Sequence, residues 1–223
     1  MDETVAPGRS PVAAALGPRA DALPPVFRRQ FLADPASPAA IALEGEMARI
    51  WYRPRWLKPL LALMGAFRVA VPEMGVDIPA RVVIRRSPGP GDIDVHTWRR
   101  SFRFRRTVRF PSRLTYDPGR AELVEWLGQP TLFGIVWNLR VGPQGRLTMR
   151  TDRYRLSLAG RSAVVPRALS RWLLPAVEFQ QSPAVRSTDS FVMRARVVHP
   201  WLGPVFGYEG RFRLRPTEAD RPT

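Results

Sequence analysis

Between Asp94 and Phe110 the chain alternates, residue by residue, between two kinds of surface. Even positions read Asp94, His96, Trp98, Arg100, Phe102, Phe104, Arg106, Val108 and Phe110; odd positions read Val95, Thr97, Arg99, Ser101, Arg103, Arg105, Thr107 and Arg109. Successive side chains of a strand point to opposite faces, so this pattern calls for half-buried strands with an aromatic inside and a cationic outside. A helix would scatter the same residues around its axis. Similar runs recur near 42–52, 79–86, 121–127, 131–141, 146–158, 190–198 and 204–214, with 94–104 and 106–116 sharing the opening segment. Most are separated by turn clusters such as Ser87-Pro88-Gly89-Pro90-Gly91, Asp117-Pro118-Gly119 and Gly142-Pro143-Gln144-Gly145. The last cluster predicts a long hairpin between 131–141 and 146–158.

Strands this long in succession favour a curved sheet, because closure removes exposed edges. The expected fold is α+β: a highly curved or barrel-like antiparallel β-sheet with two or three packed helices. Those helices are placed at Leu23–Phe31, in the apolar stretch from Trp56 to Phe67, and at Pro166–Phe179. Residues 1–22, rich in Ala, Pro and Gly, are read as a mobile tail. A single β-rich domain spans 23–216, and 217–223 is a second mobile tail. The N-terminus starts acidic and lacks a cationic stretch followed by an apolar one, so it is not read as a secretory leader. The apolar stretch from Trp56 contains Lys58 and Pro59 and is too short to cross a bilayer, which suits a core or interface helix.

Composition removes whole classes of chemistry. There is no cysteine, which excludes disulfides, thiolate nucleophiles, zinc ribbons and iron–sulfur clusters. With 35 basic residues against 19 acidic, the formal net charge is +16, and every basic side chain but Lys58 is arginine. Nucleic acid and anionic lipid headgroups are both partners for such a surface, although the arginines are spread along the chain rather than gathered in one block.

Several segments resemble the bacterial domain-of-unknown-function family 4166. They are Leu23-Pro24, Trp98-x-Arg100-x-Phe102, Glu125-x-x-Gly128, Val165-Pro166-x-x-Leu169 with Glu178, and His199-Pro200-x-x-Gly203 followed by Tyr208-x-Gly210. The resemblance covers about residues 23–215. It implies no activity by itself. Members stand alone or follow a Rossmann domain similar to saccharopine dehydrogenases, which implies a redox enzyme as one possible partner. This chain has no G-x-G-x-x-G and cannot bind a dinucleotide in that manner. Where members carry a Tyr-Arg-Gly-like triplet, this chain has Tyr208-Glu209-Gly210.

Catalytic provisioning is thin. There are two histidines, His96 on the aromatic strand face and His199 before Pro200 in a turn, and no G-x-S-x-G. Lys58, beside Pro59, is a poor Schiff-base candidate, and no spacing supports a metal site. No catalytic residue, metal or cofactor is therefore assigned. Glu122 and Glu125, three apart on a strand, should face opposite ways. Arg100 lands among aromatics on the inner face and needs a carboxylate, either from Glu125 or Glu178 or from a ligand. The candidate ligand-binding set is Trp98, Arg100, Phe102, Glu125, Glu178 and Tyr208.

The expected function is a binding module for a hydrophobic or amphipathic, lipid-like small molecule, cytoplasmic and working at an anionic membrane surface. The first alternative is an uncharacterised enzyme or an accessory domain to a redox enzyme. The second is nucleic-acid binding. An enclosed apolar cavity would favour carriage; His96 or His199 converging with Glu178 or Asp152 would favour chemistry; a cationic groove with exposed rings would favour nucleic acid.

Overall fold

The computed structural model describes residues 9–32, 40–158, 161–185 and 187–215. In chain order the elements are α1 (Pro11–Leu16), α2 (Pro25–Phe31), β1 (Ala40–Tyr52), α3 (Lys58–Ala66), β2 (Gly75–Ser87), β3 (Val95–Arg103), β4 (Thr107–Asp117), β5 (Glu122–Leu127), β6 (Phe133–Val141), β7 (Leu147–Leu158), β8 (Arg161–Val164), α4 (Arg167–Leu173), β9 (Ala176–Pro183), β10 (Ser190–His199) and β11 (Gly203–Arg215). All ladders between these strands are antiparallel. The order β6-β5-β4-β3-β2-β1-β11-β10-β9-β7 is closed by a β6–β7 ladder, giving a barrel of ten strands. Strand β7 carries β9 along its first residues and the short β8 along its last ones, so β8 hangs beside the ring.

Alternation sorts the walls. Trp98, Phe102, Leu114, Leu123, Ile135, Leu147, Met149, Phe191 and Phe212 are buried and join one core inside the barrel. The opposite parity carries Arg99, Arg103, Arg109 and Arg113, all exposed. Where β1 bends between Glu46 and Arg49 it breaks register against β11, as a bulge does when a sheet must curve. Gly210 sits at that bend. A Cβ there would lie 2.5 Å from the Glu46 carbonyl oxygen, so only glycine lets the strands approach.

The two barrel ends differ. At one end the N-terminal segment forms a plug. Ser10 caps α1 by accepting from the Val12 and Ala13 amides, and Val12, Leu16, Val26, Phe27 and Phe31 are buried. Phe31 stacks on Trp98 at 5.9 Å, and Phe27 meets Phe191 edge-on at 5.7 Å. Arg19 donates to the Leu139 carbonyl and Arg86 to the Leu32 carbonyl. The expectation of a mobile tail over 1–22 is thus corrected from Arg9 onward. A run of small residues still supplied enough apolar side chains, at Val12 and Leu16, to seal the barrel. Residues 1–8 and the C-terminal tail at 217–223 lie outside the described residues.

At the other end the β1–β2 connection crosses the mouth. It carries α3, buries Val71, and reaches the β5–β6 turn on the far side, where the Gln129 amide donates to the Phe67 carbonyl at 3.0 Å. Gly128 makes that turn at φ 94°, a conformation that favours glycine. The helix expected over 166–179 is only α4; the chain breaks at Pro175 and becomes β9. Proline removes an amide and disfavours helical geometry at the residue before it, here Leu174.

Candidate functional site

Five of the six residues singled out in the sequence share the barrel interior. Trp98, Arg100 and Phe102 lie on β3, Glu125 on β5 and Tyr208 on β11. Arg100 donates to Glu125 at 2.7 Å and to the Ser112 hydroxyl at 2.8 Å. Ser112 donates to the same Glu125 oxygen at 2.6 Å, and the Trp137 indole donates to the other at 3.1 Å. The guanidinium lies 4.9 Å from the Trp98 ring centroid and 5.1 Å from that of Phe110. Burial pushes the Tyr208 phenol up to about 12; Arg100 pulls it down and Glu125 pushes it further up. The carboxylate that Arg100 requires is therefore supplied by the chain itself. Both oxygens of Glu125 are engaged, and the pair is a structural element of the core.

Glu178 does not join them. It lies on β9, not at the end of a helix, and on the outer face, where it pairs with Arg150 at 3.0 Å. Glu122 also faces outward, bonded to Arg155 and 3.2 Å from Arg153. Asp152 pairs with Arg153 at 2.6 Å on the outer wall. The two histidines sit toward opposite ends of the barrel. His199 accepts from the Trp201 amide in the β10–β11 turn. His96 is wholly buried near the plug with neither ring nitrogen bonded, and burial, assisted by Arg86, lowers its pKa to about 3. It is a neutral core residue. Among the described residues no group of three or more His, Asp and Glu side chains could hold a metal. His96 and His199 therefore do not converge with Glu178 or Asp152.

The unusual surface is the mouth crossed by α3. Leu57 and Leu61 of this segment are buried, while Trp56, Leu60, Leu63 and Phe67 are exposed. Within α3, Leu60 and Leu63 share a helical face, with Trp56 in the turn before it and Phe67 at its C-terminal cap, so the segment is apolar on both its buried and its exposed sides. At the same end α4 exposes Leu169, Trp172 and Leu173, and the β10–β11 turn exposes Trp201 and Leu202. Trp201 is 65 % exposed, packs 5.1 Å from Trp172 and donates its indole proton to the Trp172 carbonyl. Of the large exposed apolar side chains among the described residues, all but Val185 and Val192 belong to this end. No helix among the described residues is long and apolar enough to cross a membrane.

Two surface concavities stand out, and both lie outside the barrel. One is formed by the N-terminal plug. The other, about 730 Å³, opens at the rim of the apolar mouth and is lined by Arg49, Trp51, Tyr52, Arg53, Pro54, Arg55, Met74, Leu202 and Pro204. Sequence reasoning missed it, because its walls come from the end of β1, the approach to β2 and the start of β11. The two-sided apolar pattern of 56–67 was readable, but nothing in it says which side is covered.

The profile of a domain of unknown function, DUF4166, matches residues 23–212. The uncharacterized protein YndH of Bacillus subtilis (strain 168) is 25 % identical over 164 residues, which is 73 % of this chain and 78 % of that one. No solved structure matches.

Proposed function

The chain belongs to the DUF4166 family, and from its geometry we propose that it is a binding module for anionic, lipid-like amphiphiles that docks on the bilayer surface by one end of its barrel. The observation that carries this reading is the collection of exposed Trp, Leu and Phe side chains from α3, α4 and the β10–β11 turn at the mouth. Exposed apolar patches of this kind on a folded domain mark interaction surfaces. Tryptophan favours the headgroup level of a bilayer, where one side of the ring is apolar and the other wet. Around the patch stand Lys58, Arg53, Arg55, Arg68, Arg105, Arg167 and Arg171, all exposed, with basic heads able to reach lipid phosphates. Among the described residues the barrel wall, by contrast, exposes arginines such as Arg99, Arg103, Arg109 and Arg113 on its outer face, unlike the apolar band of a spanning barrel.

This differs from carriage inside the barrel. The inner face is occupied by its own aromatics, and Arg100 addresses Glu125. It also disfavours nucleic acid: some wall arginines are paired locally, as in Arg194–Glu209 and Arg150–Glu178, and the exposed rings sit on an end rather than along a groove.

Co-sedimentation with vesicles tests the proposal. Phosphatidylcholine vesicles containing phosphatidylglycerol should bind the protein, and binding should weaken with salt. Leu60→Ser combined with Leu63→Ser should leave the melting temperature nearly unchanged, because both side chains are exposed. The same variant should weaken vesicle binding on the order of a hundredfold, at about 1.5 kcal/mol per leucine. A concentration-dependent dimer that the double variant breaks, with no vesicle binding by the unaltered protein, would instead assign this face to a second copy of the chain and sink the proposal.

A further inference from the structure

We infer that the groove at the mouth's rim is a receptor for a phosphate monoester, with Arg49, Arg53 and Arg55 on the phosphate and Met74, Leu202 and Trp51 against the first carbons of its hydrocarbon stem. The orientation toward lipid rests on the docking reading; the phosphate chemistry does not.

The local structure explains how three arginines come together. Arg49 and Trp51 are two apart on β1 and share its outer face. Trp51 lies against Gly207, where a Cβ would come within 2.8 Å of its ring, so the indole is laid flat on the neighbouring strand as a floor. The chain then leaves the barrel with the Arg53 amide bonded to the Val205 carbonyl at 2.8 Å, which fixes the backbone from which Arg53 and Arg55 project. All three arginines are exposed and line the groove, and no acidic residue lines it. Of the acids near it by register and sequence, Glu46 and Asp77 are in no ion pair with the three arginines, and two others are engaged elsewhere. Glu209, opposite Arg49 across β1 and β11, accepts from Arg194 at 2.8 Å, and Glu73 pairs with Arg106 at 3.3 Å. Among the described residues, none of the three guanidiniums is in an ion pair.

Like charges gathered without a counter-charge repel one another, and an anion relieves that repulsion. Guanidinium is planar and delocalised, so several can converge on one phosphate through paired N–H donors. A monoester carries close to two negative charges near neutral pH and a diester one, so a three-arginine site separates them. A space of about 730 Å³ exceeds what a bare phosphate fills, and the remaining lining is apolar. Met74 and Leu202 are each more than two-fifths exposed, as is Trp56 in the turn that leads into α3. The ligand is therefore an amphiphile with a terminal phosphate. A soluble phosphate ester offers the same headgroup without the tail.

The experiment compares vesicles containing phosphatidic acid with vesicles of equal surface charge containing phosphatidylglycerol, alongside glycerol 3-phosphate in solution. The unaltered protein should prefer phosphatidic acid. Arg53→Gln with Arg55→Gln should abolish the preference and lower binding to phosphatidylglycerol only by the ordinary effect of two surface charges, about fivefold each. Arg99→Gln with Arg103→Gln, which removes the same charge from the wall, should keep the preference. Equal affinity for the two lipids at matched charge, or a preference that survives Arg53→Gln with Arg55→Gln, overturns the inference. The two readings fail separately. Arginine-dependent binding of glycerol 3-phosphate without vesicle binding would uphold the groove and remove the membrane. Vesicle binding that depends on Leu60 and Leu63 but ignores the monoester would remove the groove and leave the docking face.

Discussion

At Arg100 a full positive charge sits among aromatic rings, held by Glu125, Ser112 and the faces of Trp98 and Phe110. Removing it strands the carboxylate of Glu125, so Arg100→Ala should cost about 3–5 kcal/mol in urea denaturation. Arg100→Met together with Glu125→Leu should recover part of that loss: the apolar pair leaves no uncompensated charge, while the Ser112 hydroxyl and the Trp137 N–H lose their acceptor. If the double variant is no better than the single one, Glu125 is not the partner that matters. His96 makes a different demand. Its pKa falls from 6.5 to about 3 because burial, then Arg86, penalises the charged ring. Above pH 6.5 the ring is neutral in both folded and unfolded chains, and its contribution is intact. As the pH drops from 6.5 toward 3 the unfolded chain takes up the proton and the folded one does not, so stability falls by about 1.4 kcal/mol per unit. His96→Leu should remove that slope. Between pH 6.5 and 5 the unaltered protein should lose about 2 kcal/mol more than the variant. Parallel loss in both would show that His96 is protonated in the fold.

Among the elements, α1 carries more than its composition suggests. It packs Val12 and Leu16 against β4, β5 and β6 at the sealed end. Deleting residues 1–22 should lower the melting temperature by roughly 10 °C, at about 1.5–3 kcal/mol for each buried Val or Leu side chain and a few degrees per kcal/mol for a chain of this size. An unchanged melting temperature would show that the barrel holds without its plug. Most strands were legible because alternation is a local property: 94–110 reads its own inside and outside, and the hairpin joining β6 to β7 is announced by Gly142-Pro143-Gln144-Gly145. β9 was not read, although Pro175 marks its start, because Pro166 to Leu173 is helical and the following residues carry little alternation. The plug was missed because two apolar side chains in a run of alanines suffice when a barrel end is waiting to receive them. The Arg100–Glu125 pair could be named in advance as one alternative. The groove could not, since Arg49, Met74 and Leu202 meet only after the ring has closed.

For the whole molecule, a net charge of +16 says less than where the charge is answered. On the wall, Arg81 and Arg215 share Glu44, Arg194 faces Glu209, and Arg155 is buried against Glu122. The groove arginines have no such answer. The fold thus presents a cylinder whose wall carries both paired arginines and, among the described residues, the exposed, unpaired Arg99, Arg103, Arg109 and Arg113, with one sealed end and one apolar, cationic end. The described chain enters the barrel at Arg9, whose backbone bonds to Asp92 and Asp94, and leaves it at Arg215, paired with the start of β1. Both points lie at the sealed end, a full strand length from the apolar mouth. A strand of 13 residues tilted as barrels require spans roughly 30 Å. With the mouth on lipid, as proposed, Arg9 and Arg215 would stand about that far from the headgroups. Docked so, the domain would present both residues at the end of the barrel turned away from the bilayer.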